Sequence, residues 1–364
     1  MRIALIAPPW VPVPPPLYGG TETIVDRLAR GFQSTGHEVL LCTTGDSTCP
    51  VPHQFVLERS EHLRMGAVVP ELRHVIHAYE AAQEFDIVHD HTLAGPIYAG
   101  RFPHLRTVTT NHGPFNDELL DIYRAIAPCV SIIAISRSQA AHAADVPIAR
   151  VIHHGIEVAD LPFGPQPGEY FLFLGRMAPD KGARRAALVA RQAGVPLLIA
   201  AKMREPLEFE YFEDQVKPLL GGDIEYVGEV GGAQKYDLLA RARALLNPIR
   251  WVEPFGLVMI EALGCGAPVV TFNQGAAPEI VDHGITGFLC ETRDEMVAAI
   301  HRVDELDRTA CRAAVEQRFS TERMVGDHLD LFESLLDGRT PAPTGLATPR
   351  PNQPPQPTTA GAAL

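Results

Sequence analysis

The sequence predicts an α/β protein made of two parallel-sheet, Rossmann-like domains in tandem, facing each other across a cleft. Three observations carry this. Short apolar runs alternate with amphipathic segments up to about residue 158. The stretch Leu161-Pro162-Phe163-Gly164-Pro165-Gln166-Pro167-Gly168 then breaks the pattern, as an interdomain linker does. A second series with the same alternation follows. Strands alternating with helices imply parallel sheets covered on both faces, and ligands of such sheets bind beyond the strands' carboxyl ends. Two such edges in apposition make the cleft the default active site. A length of 364 residues also favours two domains over one.

Taken in order, residues 2–7 form a short apolar run, hence a buried strand. A Pro-rich loop over residues 8–17 leads to Gly19-Gly20-Thr21-Glu22, which opens an amphipathic helix to about Ser34. Further strands are expected at 39–43, 87–89, 107–111 and 131–135, with helices near 71–84, 116–127 and 138–144. This sets an N-terminal domain at 1–158 and a linker at 159–168. The C-terminal domain, 169–318, has strands at 170–174, 196–201, 224–227, 244–247 and 268–272. Its helices are expected at 183–193, 207–220, 233–242 and 255–264, with two short ones after them. A last amphipathic helix, 319–337, is expected to pack back on the N-terminal domain. Residues 338–364 are rich in Pro, Thr and Ala without periodicity and read as a disordered tail.

Composition narrows the function. With 46% hydrophobic and 21% charged residues the chain is ordinary for a globular protein. A net charge of −13 argues against a nucleic-acid partner. Lysine is confined to Lys181, Lys202, Lys217 and Lys235, so the N-terminal half has no polylysine patch for anionic lipid. The cysteines, Cys42, Cys49, Cys129, Cys265, Cys290 and Cys311, form no C-x-x-C pair and read as free thiols of a reducing compartment. With no visible signal peptide and no apolar run of membrane-spanning length, the expectation is a cytoplasmic protein, and a peripheral membrane contact stays open.

The chemistry concentrates in Glu253-Pro254-Phe255-Gly256-Leu257-Val258-Met259-Ile260-Glu261. Pro254 disfavours helix at Glu253, so Phe255, Gly256 and Leu257 present free amides at a helix N-terminus, a natural anion seat. Glu253 lies just outside that end and Glu261 about one and a half turns inside. A phosphate on the amides puts one carboxylate beside each attached group, which outlines a nucleotide-sugar site. Arg176 and Lys181, after a predicted strand, suit a diphosphate as fork and point charge; Asp180 beside Lys181 is a competing partner. Gly19-Gly20 before a helix allows close approach to a phosphate, or is a plain turn. His89-Asp90-His91 is tempting as a metal site, but alternation turns Asp90 away from the two histidines, and no third ligand or D-x-D pair is evident. A place lining the acceptor cleft is the better expectation for this pair, and a structural role for His153-His154.

These pieces resemble, in the same order, the retaining glycosyltransferases of the large GT4 family, which have the two-domain GT-B fold. The resemblance rests on Tyr18-Gly19-Gly20-Thr21-Glu22, Asn111-His112-Gly113, Ile135-Ser136-Arg137-Ser138, His154-Gly155-Ile156, Phe173-Leu174-Gly175-Arg176 with Lys181-Gly182, Gly228-Glu229-Val230, the Glu253–Glu261 segment and Gly264-Cys265-Gly266-Ala267-Pro268-Val269-Val270. It implies hexosyl transfer from a UDP-, GDP- or ADP-sugar to a hydroxyl acceptor, with no cofactor and no metal. His112, Arg176, Lys181 and Glu253 take the catalytic roles. Gly19, Gly20, Val230, Phe255, Gly256, Leu257 and Glu261 hold the donor. Tyr18, His91 and Asn111 fall on the acceptor side. A sugar-nucleotide epimerase on the same fold and a silent nucleotide-binding subunit are the competing readings; a glycogen-type phosphorylase needs a pyridoxal-binding lysine, against which the lysine scarcity speaks.

Overall fold

The computed structural model describes residues 1–338. The expected tail therefore lies, Gly338 apart, outside the described residues. The N-terminal sheet contains β1 (Arg2–Ile6), β2 (Glu38–Cys42), β3 (His53–Gln54), β4 (Ile87–Asp90), β5 (Arg106–Thr110), β6 (Val130–Ala134) and β7 (Ile148–Val151). Its strands are all parallel, in the order β3-β2-β1-β4-β5-β6-β7. The C-terminal sheet contains β8 (Phe171–Arg176), β9 (Leu197–Lys202), β10 (Ile224–Gly228), β11 (Ala244–Asn247), β12 (Val269–Phe272) and β13 (Gly287–Cys290). It is also parallel, in the order β10-β9-β8-β11-β12-β13. The strand order reverses between β1 and β4 in one sheet and between β8 and β11 in the other. Those switch points are where such sheets open a crevice for a ligand.

The period of two along each central strand divides the core. Ile3 and Leu5 of β1 pack on one face with Ile24, Leu28 and Phe32 of the Gly20–Ser34 helix. Ala4 and Ile6 face the other side, with Val75, Tyr79 and Tyr123. Phe171 and Phe173 of β8 take one face of the second sheet and Leu172 the other. Burying each such side chain contributes about 1.5–3 kcal/mol, which outweighs the weak local propensities of these short strands.

The last helix, Thr321–Leu336, leaves the C-terminal domain and places Met324, Val325, Leu331 and Phe332 in the N-terminal core. It lies against the Gly20–Ser34 helix at Gly31, where a Cβ would overlap Val325 Cγ2. The linker is fastened to the C-terminal domain. Arg312 donates to the carbonyls of Val158 (2.8 Å) and Leu161 (3.1 Å), and Arg308 to those of Gly164, Ala240 and Ala242. Glu279 of the C-terminal domain accepts from the Arg137 and Ser138 amides (2.9 and 2.7 Å) and from His153 Nε2 (2.7 Å). One carboxylate thus caps the Arg137–Ala141 helix of the other domain and ties the two domains together.

Several elements depart from the sequence reading. The stretch 207–220 is not one α-helix: Pro206–Tyr211 is α-helical, Phe212–Val216 widens to a π-turn, and Lys217–Leu219 tightens to 3-10. Pro218 has no N–H to continue an α ladder, and the backbone changes pitch ahead of it. The helix expected from 255 begins at Leu257. Three α-helices rather than two precede the final one: Ala277–Ile280, Arg293–Ile300 and Arg308–Arg318. Among the described residues no helix is long and apolar enough to cross a membrane.

Candidate active site

The loops after β1, β4, β5, β8 and β11 meet at the facing sheet edges. After β11 the chain reaches Gly256 in the left-handed conformation (φ 97°, ψ 66°), where a side chain would be strained and its Cβ would lie 2.6 Å from Met259 Cε. That turn starts the Leu257–Gly264 helix with no side-chain cap. The Gly20–Ser34 helix of the other domain also has no side-chain cap. The two N-termini confront each other, since a Cβ on Gly20 would be 3.5 Å from Leu257 Cδ1. The first amides of two helices and two dipoles thus point at one place from opposite domains. Phe255 is buried beneath it, ring to ring with His154 and Phe319.

Lys181 Nζ lies 2.6 Å from Glu253 Oε2 and over the Trp251 ring at 5.1 Å. Both partners are mostly shielded, with side chains 15% and 16% exposed. Asp180, the expected competitor for Lys181, instead pairs with Arg176 at 3.3 Å; Glu208 stands 3.8 Å from the same guanidinium. On the other side of the Leu257–Gly264 helix N-terminus, Lys235 Nζ lies 2.6 Å from Glu261 Oε1, which Tyr236 also approaches at 3.4 Å. Glu261 and Lys235 are thus a second shielded ion pair. Lys235 escaped the sequence reading because it stands 26 residues from its partner. A signal was present, however: two of the chain's four lysines occupy the two carboxylates. Val230 is buried in the core beside them.

A row of imidazoles runs from His154, beside Phe255, to His328, beside Phe332. Successive ring centroids are 5.1 Å apart for His328 and His89, 4.1 Å for His89 and His91, 5.1 Å for His91 and His112, and 5.2 Å for His112 and His154. Burial first, then neighbouring histidines, hold His89, His91 and His154 well below the usual imidazole range. His112 is pushed down to about 3 and His328 to about 4, again chiefly by burial. The row is therefore neutral at pH 7. His91 Nδ1 and His112 Nε2 share a hydrogen bond of 2.8 Å, which leaves His112 Nδ1 for a ligand. His89 bonds Thr110 Oγ1 at 2.8 Å and is fully buried, so it does not line the acceptor cleft as expected. Asp90, on the opposite face, accepts from Tyr79 and Thr92. His153 pairs with Glu279 at 2.7 Å. Among the described residues no group of three or more His, Cys, Asp or Glu is placed to hold a metal ion.

Two acceptor-side expectations shift. Asn111 is buried, its Oδ1 accepting from the Gly113 amide at 2.9 Å, so it shapes the turn that carries His112. The Tyr18 phenol stands within the fields of Lys181, Glu253, Arg176 and Asp180, all from the C-terminal domain.

Sequence profiles match both halves. "Glycosyltransferase Family 4" matches residues 18–160 and "Glycosyl transferases group 1" matches residues 168–305. A phosphatidyl-myo-inositol mannosyltransferase of Mycolicibacterium smegmatis is 27% identical over 348 residues, spanning 85% of this chain and 86% of its own. The crystal structure of AviGT4, a glycosyltransferase involved in avilamycin A biosynthesis, superposes with a TM-score of 0.70 at 26% identity, covering 93% of this chain and 98% of that one. Anabaena HepE in complex with UDP-glucose has a TM-score of 0.72 at 19% identity, over 92% of this chain and 100% of its own, and shares the fold.

Proposed function

The chain belongs to the GT4-type glycosyltransferases of GT-B fold, and from that membership we propose that it moves a hexosyl group from a nucleoside-diphosphate sugar to a hydroxyl of a membrane-associated acceptor, with retention and without a metal ion. The observation that carries the donor half is the convergence of two uncapped helix N-termini, one from each domain, between the Lys181–Glu253 and Lys235–Glu261 pairs. A diphosphate on those amides has Lys181 and Arg176 on its sugar side and Lys235 on its nucleoside side. As the bond from the anomeric carbon to the phosphate oxygen breaks, its electron pair goes to the diphosphate, whose growing charge these groups stabilise. Glu253 holds sugar hydroxyls and Glu261 ribose hydroxyls. The acceptor oxygen attacks from the face the diphosphate leaves, and its proton passes to the departing phosphate, so no protein nucleophile is needed. His112, neutral and with Nδ1 unengaged, is suited to a sugar hydroxyl.

The acceptor half is supported by the Val68–Ala81 helix and the turn before it. Leu63, Val68 and Val69 are 90%, 65% and 70% exposed, and Met65, Leu72 and Ile76 extend the same face. Exposed Arg59, Arg64 and Arg73 lie near this stripe in the chain, Arg64 at 3.6 Å from Glu61. The buried face is tied to the cleft: His74 Nε2 bonds the Ala7 carbonyl (2.9 Å) and Glu71 accepts from the Leu93 and Ala94 amides (2.8 and 3.1 Å). The M. smegmatis relative is by name a transferase to a phospholipid.

The test is thermal shift of the purified protein against UDP, GDP, ADP and their sugar conjugates, with Mg²⁺ and with EDTA. A shift by one nucleotide class that survives EDTA supports the donor reading and fixes the base. No shift with any of them sinks it.

A further inference from the structure

His112 is held twice, by its backbone and by its ring. The backbone lies in the turn after β5. Asn111 Oδ1 accepts from the Gly113 amide at 2.9 Å, and Gln139 Nε2 donates to the Asn111 and Gly113 carbonyls at 2.9 and 2.6 Å. Gln139 is itself buried, and its Oε1 accepts from the Ile135 amide at 2.7 Å. The ring lies between those of His91 and His154. His91 follows β4 directly, is buried, and is fixed by its amide, which donates to the Ile6 carbonyl at 2.9 Å. Its Nδ1 shares the 2.8 Å hydrogen bond with His112 Nε2.

That bond holds one proton, and the far side of the His91 ring decides which residue supplies it. Each neutral imidazole carries a single N–H, so the two ring nitrogens have opposite roles. Were His112 to donate from Nε2, the His91 proton would sit on His91 Nε2. That atom is buried and has no hydrogen-bond partner among the described residues. A buried N–H without an acceptor is rarer in folded proteins than a buried acceptor left bare. The favoured arrangement is therefore the other one, with His91 Nδ1–H donating to His112 Nε2. His112 then carries its own proton on Nδ1, and the residue is partly exposed. His89 obeys the same rule: Nε2 bonds Thr110 Oγ1 at 2.8 Å, while Nδ1 is buried and unpartnered among the described residues.

We propose that His91 is a positioning residue for the transfer: by donating from Nδ1 it fixes both the tautomer and the rotation of the His112 ring, so that His112 presents an Nδ1–H, and not a lone pair, to an oxygen of the transferred sugar. This rests on the donor reading above. An Nδ1 that already carries a proton cannot take one from the acceptor hydroxyl, which agrees with delivery of that proton to the departing phosphate. Without the bond from His91 the ring is free to turn over about Cβ–Cγ, which puts Cδ2–H where Nδ1–H stands.

The experiment reads the tautomer and the kinetics side by side. Long-range proton–nitrogen correlation spectra of protein labelled with 15N in its histidine rings show which nitrogen carries the proton. His112→Gln and His91→Asn identify the two sets of signals by their loss. Both rings are expected to be protonated at Nδ1 in the wild type at neutral pH. His91→Leu removes the donor, whereas His91→Asn keeps one, because its amide nitrogen stands where Nδ1 does. His91→Leu lowers kcat about 3–10-fold, the equivalent of one neutral hydrogen bond at the sugar, with UDP affinity within about twofold of wild type. His91→Asn recovers most of that loss. A His112 protonated at Nε2 in the wild type overturns the inference while the donor reading stands, and this readout decides even where a substitution unsettles the fold. Equal losses in His91→Leu and His91→Asn, or a loss confined to Tm and UDP affinity, show a packing role and overturn it too. A wild-type chain that binds no nucleotide overturns the donor reading and, with it, the sugar contact on which this inference depends.

Discussion

Lys181 Nζ and Glu253 Oε2 stand 2.6 Å apart, so the cation proposed for the diphosphate and the carboxylate proposed for the sugar neutralise each other. The pair is shielded on both sides and costs little to keep, because each charge compensates the other's desolvation. On the proposed reading a donor divides the pair, phosphate to Lys181 and sugar hydroxyls to Glu253.

That division predicts opposite effects on binding and on rate. In Glu253→Gln the lysine is no longer neutralised, so UDP binds as tightly as to wild type or more tightly. Transfer falls by about 10²-fold or more, as when a polarising group at the reacting centre is lost. Calorimetric UDP affinity beside kcat checks this. Weaker UDP binding with an unchanged kcat would mark the pair as structural only.

Lys235 and Glu261 are expected to act on affinity alone. On the proposed reading both sit on the nucleoside side, away from the bond that breaks. Lys235→Met leaves Glu261, 7% exposed, without its cation, and raises the dissociation constant for UDP about tenfold, which is about 1.4 kcal/mol. The kcat at saturating donor stays within about twofold. A drop in kcat at saturation with unchanged UDP affinity would refute the division of labour between the two pairs.

The aliphatic stripe makes a separate prediction. Val69→Glu with Leu72→Glu places two carboxylates on the exposed face of the Val68–Ala81 helix. Neither residue supports the core, so Tm is unchanged. Partitioning onto vesicles of anionic phospholipid falls about tenfold or more, since two aliphatic contacts are lost and two repulsive charges gained. Sedimentation with such vesicles decides it: co-sedimentation equal to wild type removes the membrane from the proposal.

Much of the fold was legible in the sequence, and the reason is burial. β1, β8, β11 and β12 are short apolar runs because both faces of a parallel sheet are covered. What escaped was marginal in the same terms. β3 is two exposed residues, and β7 is half-buried throughout with Arg150 in its middle. β13 hides behind a glycine. At the site, the carboxylates and Lys181 were legible from their places beside a helix start and after a strand. Their partners were not, because pairing across 72 and 26 residues leaves no periodic trace. The imidazole row was half legible. Alternation set His89 and His91 on one face, but His112, His154 and His328 arrive from three further elements and meet them only in the fold.

That row predicts acid sensitivity with a definite sign. Six buried histidines have depressed pKa values: His74 and His328 about 4, His112 about 3, and His89, His91 and His154 well below the usual range, in each case chiefly through burial. Between its folded pKa and about 6.5 such a histidine binds more protons unfolded than folded, so stability falls as pH drops through that window. Glu22 and Asp90 act the other way. Burial raises both to about 7, so between about 4 and 7 they bind more protons folded, and their contribution is lost as pH rises. Each pKa unit is worth about 1.4 kcal/mol, and six histidines outweigh two carboxyls. The Tm is therefore expected to fall between pH 7.5 and pH 5. His328→Phe tests the source. It keeps an aromatic ring against Phe32 and Phe332 and removes one protonatable ring next to His89, so the fall in Tm becomes smaller even where the Tm at pH 7.5 is lower. A pH-independent Tm in the wild type, or an undiminished fall in the variant, would show that protons enter the unfolded chain elsewhere.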